Sequence, residues 1–249
     1  MCTLSFLPEK DGYVAAMNRD EQRTRALALP PSIHHTGEVS ALYPQEPGGG
    51  TWIGGNSHGN LLALLNWYSM EKTILETKTR SRGELIPTLL SELDAESTNR
   101  VLQRSDFTGT YPFRLFGFFP AQQLIREWRW DAGRLTTKFH EWGRHHWFSS
   151  SWSDERAEAE RGRAFGRSRR EDAADASGWL RQLHASHIPE PGPYSICVHR
   201  EDAATVSYTE VCLGPAELQM RYSPGNPCQS ADSPGTWSIP TLANFPSRG

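Results

Sequence analysis

The chain has 249 residues, a net charge of -3, a pI near 6.3 and no low-complexity tract. Such a length buries roughly 70% or more of the surface that an unfolded chain exposes, and it fits one large layered domain. The balanced charge argues against nucleic acid or an anionic membrane as partner. No window approaches the roughly 18 apolar residues of a membrane span, and the start lacks a signal-peptide pattern. The four cysteines (Cys2, Cys197, Cys212 and Cys228) show no paired framework. They are therefore expected as reduced thiols in a cytoplasmic protein, with Cys197 and Cys212 as inert core residues.

The first thirty residues read as a hairpin, CTLSFL and YVAAMNRD joined by the turn segment PEKDG. A proline-rich connection (LALPPSIHH) leads to GGGTWIGGNSHGNLLALLN, in which 56–60 links the strands WIGG and LLALLN. TRSRGELIPTLLSEL has helical spacing, with Pro87 near its start. FRLFGFFP, QLIREWRW and LTTKFHEW read as an antiparallel meander. The charged stretch SDERAEAERGRAFGRSRR is an exposed helix followed by a loop, and DAADASGWLRQLHA is a second helix. YSICVHRED, ATVSYTEVCLG and ELQMRYSP are further strands, and residues 225–249 have the composition of a loose tail. Without repeats or a linker, residues 1–249 are expected to form a single α+β domain.

Chemistry concentrates at the start. Methionine before a small residue is normally removed, which leaves Cys2 with its thiol and a free α-amino group on one carbon. An amine of pKa about 7.7–8.0 beside a thiol of about 8.5 supplies base and nucleophile from one residue. If residues 8–12 form the hairpin loop, Cys2 opposes Asn18, and alternation puts Asn18 and Asp20 on the face of Cys2. Asp20 is then placed to hold the amine or the thiol proton. Arg19 and Glu21 point away in this register, as a salt bridge or a surface pair. A slip of one residue reverses the assignment.

The MC start, MNRDE, GGTWIGGNSHGNLLALLN, TRSRGELI, DFTGTYPFRLFGF and SICVHREDAATVSYTEV together resemble the NRDE family, also called the transport and Golgi organisation protein 2 family. The resemblance implies an N-terminal-nucleophile hydrolase fold, a four-layer αββα sandwich of two antiparallel sheets. More distantly it implies a likeness to the choloylglycine hydrolase and penicillin acylase group. By position it implies Cys2 as nucleophile, Asn18 and Asp20 as site residues, and Asn66 as an oxyanion donor. An amide N–H in that role contributes about 2.7–4 kcal/mol to the transition state. The chain departs from those amidases in carrying Met17 where they have arginine. It has Phe148-Ser149-Ser150-Ser151 where NRDE relatives tend to have a leucine-serine-asparagine segment. It also has no evident counterpart in ATVSYTEV of a later strand arginine.

Other signals are weaker. The glycine-rich segment lacks the G-K-[ST] of a nucleotide cradle. His34 and His35, and His140, His145 and His146, lack carboxylate or cysteine partners at zinc spacing. The nine tryptophans are expected to cover core or to line an apolar pocket beside the site, with Trp128 and Trp130 on one strand face. No cofactor and no metal are expected. The reading is a hydrolase of a small-molecule amide or acyl compound. The alternative is a non-catalytic protein that binds or traffics haem or a lipid or acyl ligand.

Overall fold

The computed structural model describes residues 2–70, 80–168, 175–188, 190–229 and 234–242. The strands are β1 (Cys2–Glu9), β2 (Gly12–Gln22), β3 (Leu29–Thr36), β4 (Val39–Gln45), β5 (Ile53–Asn56), β6 (Leu61–Asn66), β7 (Phe113–Phe119), β8 (Leu124–Trp130), β9 (Leu135–His140), β10 (His145–Ser149), β11 (Ala203–Leu213), β12 (Glu217–Pro224) and β13 (Gly235–Pro240). The helices are α1 (Leu85–Leu89), α2 (Ala95–Arg104), α3 (Asp154–Arg167) and α4 (Ala176–His184). One sheet has the order β10-β1-β2-β11-β12-β13 and the other β3-β4-β5-β6-β7-β8-β9. All strand pairs within them are antiparallel.

Alternation along these strands makes three apolar layers. Leu4, Phe6, Met17, Ile53, Leu61, Phe116 and Phe118 fill the space between the sheets. Leu62, Leu64, Phe113 and Trp128 turn outward under α1 and α2, with Trp130 partly buried beside them. Leu7, Val14, Ala16 and Tyr208 face outward under α3 and α4, against Ala164, Trp179 and Leu180. The result is an α+β sandwich of four layers, helix, sheet, sheet, helix.

Three local expectations are corrected, and one helix went unread. The hairpin turn is Lys10-Asp11 alone, because Glu9 pairs with Gly12, so the register differs by one residue from that of a five-residue loop. The stretch 194–202 forms isolated bridges, Gly192 with Val198 and His199 with Ala204, instead of a continuous strand. Helix α2 carried no recognised signal, since its capping box pairs Asp94 with Ser97 in place of the usual glutamate or glutamine. Part of the expected tail is β13, which pairs with β12 and buries Ile239. Residues 230–233 and 243–249 of that tail lie outside the described residues.

Gly12 fixes the tight turn through close approach: a Cβ there would lie 1.9 Å from the Leu213 carbonyl oxygen, on a backbone with φ of 153°. A Gly12→Ala variant is therefore expected to lose stability at the upper end of about 1–3 kcal/mol. The loss would be read as a lower urea midpoint.

Candidate active site

Cys2 begins β1, an interior strand of its sheet, paired with Arg19 of β2 on one side and Ser149 of the edge strand β10 on the other. Its side chain shares the inter-sheet face with Leu4 and Phe6 and is only 8% exposed. The observed register puts Arg19, not Asn18, directly opposite Cys2. Arg19 donates to Glu46 across the gap at 2.6 Å and lies 4.6 Å over the Trp52 ring. Glu21 lies 3.5 Å from Arg19 and pairs with Arg25 at 3.1 Å. These side chains border a solvent-open cleft, with Cys2, Asp20, Asn66 and Arg82 also on its wall.

Asp20 reaches Cys2 differently from the expectation. It belongs to the outward face of β2, but its backbone N–H favours the thiolate form of Cys2. Its carboxylate accepts from Thr205 Oγ at 2.6 Å and lies 3.8 Å from Arg161 of α3. A bulge in β11 allows this: Thr205 pairs with Asp20 and Ser207 with Arg19, so the residue between them is extra. Arg161 has no solvent exposure, and it donates to Thr3 Oγ at 3.0 Å and to the Cys2 carbonyl at 3.4 Å. It also reaches the Ser149 and Pro193 carbonyls at 3.5 and 3.3 Å. Burial pushes the Asp20 carboxyl up, and Arg161 opposes that shift. Burial likewise pushes the Cys2 thiol up, with the Asp20 N–H and the Arg19 guanidinium pulling the other way.

Asn18 does not share the face of Cys2. Its amide donates to the His184 and Ile196 carbonyls, both at 2.9 Å. Its Oδ1 therefore accepts from His184 Nδ1 at 3.1 Å, which leaves His184 Nε2 as acceptor for Ser5 Oγ at 2.5 Å. This serine-histidine-asparagine chain has the connectivity of a nucleophilic triad, yet Ser5, His184 and Asn18 are all fully buried. It fastens α4 to the sheet, and Ser5 continues it to His146 Nδ1 at 2.8 Å.

Asn66 ends β6 on the outward face it shares with Leu62 and Leu64, at the cleft wall. One N–H of its amide donates to Tyr68 Oη at 2.8 Å, and the amide has a second. Cys2, Asp20 and Asn66 thus border one cleft, while Asn18 lies behind the sheet. Arg161 and Thr205 were missed. The readable signal for Arg161 was its place between Ala157 and Ala164, one buried stripe of an otherwise charged helix. Away from the cleft, His187, Cys197, His199 and Cys228 bring their ligand atoms within 4.8 Å of one another.

The family model described as Transport and Golgi organisation 2 matches residues 1–146, more than half of the sequence. The chain belongs to this family. No curated protein matches it. Among solved structures, penicillin V acylase from Agrobacterium tumefaciens is similar at a TM-score of 0.55 and 14% identity, over 96% of this chain and 86% of that one. A C2A mutant of the conjugated bile acid hydrolase from Clostridium perfringens is similar at 0.56 and 12%, over 98% and 97%. The family member described here thus has the N-terminal-nucleophile hydrolase fold. No helix among the described residues is long and apolar enough to cross a membrane.

Two measurements test this arrangement. Arg161→Met is expected to cost about 3–5 kcal/mol, because it strands the buried Asp20 charge. An Asp20→Asn/Arg161→Met double variant should lose less than the sum of the singles in urea unfolding. His184 is held from 6.5 down to about 3, by burial first and by Arg161 second. Between those values the unfolded chain takes up a proton that the folded one refuses, so stability falls as pH falls. His184→Gln is expected to flatten the slope of unfolding free energy against pH across that window. An unchanged slope would contradict the neutral, buried histidine.

Proposed function

We propose that this family member is an N-terminal cysteine hydrolase of a small non-peptide amide or related acyl compound. The observation that carries the reading is the position of Cys2. It heads an interior strand and faces a charged cleft, and the Asp20 N–H favours its thiolate form. The two similar structures are named as an acylase and a hydrolase.

Burial keeps the Cys2 thiol protonated, so attack needs a base within reach. The Cys2 α-amine, freed by removal of Met1, is that base. It takes the thiol proton as sulfur adds to the substrate carbonyl, and it returns the proton to the leaving amine as the C–N bond breaks. Water then attacks the thioester, with the amine again accepting a proton, and the acid product leaves. Asp20, neutralised from behind by Arg161, orients the α-ammonium. The second N–H of Asn66 serves the oxyanion, and Arg19 and Arg82 orient polar substrate groups from the cleft wall. Asn18 supports the site from behind, through the carbonyls it anchors.

A haem or lipid carrier would call for a largely apolar pocket. The cleft beside Cys2 is lined by Arg19, Arg25, Arg82, Glu21 and Glu46, which favours the hydrolase.

Cys2→Ala is expected to lower hydrolysis across an amide and acyl panel on the order of 10³-fold or more. Full activity in that variant would refute the proposal. Iodoacetamide at neutral pH is expected to label Cys2 before Cys212, whose thiol burial pushes up to about 11. Peptide mapping of the adducts reads the order.

A further inference from the structure

We propose that His187, Cys197, His199 and Cys228 form a binding site for one zinc ion, a structural clip behind the nucleophile strand. The four residues come from three segments. His187 follows α4, Cys197 and His199 precede β11, and Cys228 follows β12. His199 Nε2 lies 3.1 Å from His187 Nε2, 3.5 Å from Cys197 Sγ and 3.3 Å from Cys228 Sγ. An imidazole nitrogen has one in-plane direction for a proton or a lone pair, so it cannot make three ordinary hydrogen bonds at once. Four donor atoms converging on one point match a cation at their centre.

The donor set selects the metal. Two thiolates and two neutral imidazoles in tetrahedral array favour zinc, and four protein ligands make a closed structural site. Bonds of about 2.0–2.3 Å place neighbouring donors about 3.3–3.8 Å apart, close to the three separations measured from His199, while all four donors lie within 4.8 Å of one another. Binding converts both thiols to thiolates, and their two protons pass to solvent. Two thiolate charges balance the divalent ion, so the complex is neutral overall. Cys197 is buried and the other three ligands are partly exposed, which leaves a route for the ion.

The backbone around the ligands is already fixed. Cys197 N–H donates to the Ser186 carbonyl, and His199 N–H to that of Gly192. Val198 N–H donates at 2.8 Å to Thr205 Oγ, the group that holds the Asp20 carboxylate. A metal here would tie the end of α4 and the segment after β12 to the stretch that positions Asp20. The ligand pattern escapes sequence motifs because Cys197 and His199 share a strand-like spacing and Cys228 lies far along the chain.

The test uses the tag-free full-length protein, purified under reducing conditions without chelator. Elemental analysis is expected to find about one zinc per chain, as in a closed structural site. Cobalt(II) exchange is expected to give the intense visible bands and thiolate charge transfer of a tetrahedral thiolate site. Cys228→Ser and the milder His187→Asn should each lose most of the zinc, while Cys212→Ser keeps it. The wild-type stoichiometry and spectrum stand even if a variant misfolds. Zinc retained equally by all variants would mean an adventitious ion and overturn the proposal. So would metal-free protein giving no cobalt spectrum, or a Cys197–Cys228 disulfide in the native protein.

Discussion

Arg161 lies wholly inside the protein, and a guanidinium without water must be met by oxygen atoms placed around it. Here they are the Asp20 carboxylate, Thr3 Oγ and the carbonyls of Cys2, Ser149 and Pro193. One side chain of α3 therefore reads the positions of β1, β2, β10 and the loop before β11 together. Move any of them and a buried charge loses a partner. That constraint fixes the backbone of Cys2 from the helix side, while its thiol faces the opposite side, toward the cleft. The buried support and the cleft-facing thiol are thus separated by the thickness of one sheet.

The two faces of β2 express the same division. Asn18 and Asp20 look toward the helices, into hydrogen bonds that hold α4, the 196 region and Thr205. Arg19 looks into the cleft, where Glu46 and Trp52 fix it. Three consecutive polar residues therefore serve three distinct surroundings. The β11 bulge matters because it lets Thr205 meet Asp20 while Ser207 still pairs with Arg19.

Much of the sandwich was legible because β5 through β9 follow from apolar runs punctuated by glycine, proline and aspartate turns. The family resemblance added the layered fold, which periodicity alone does not specify. The face assignment failed on turn length. PEKDG has turn composition throughout, yet only Lys10 and Asp11 leave the ladder, and one residue of register inverts which of Asn18 and Arg19 accompanies Cys2. Arg161 was hidden because a charge-rich helix normally exposes its charges, and only the tertiary contacts show that one of them is buried. The four-residue His/Cys cluster is likewise a product of folding, since its members are spread over more than forty residues.

The central claim is that Cys2 acts as an N-terminal residue, with its own amine as base. Intact mass of the native protein tests it most directly. The account predicts a mass short of the encoded chain by one methionine residue, with Cys2 at the start. A chain that retains Met1 has no free amine on Cys2, and that result would contradict the mechanism.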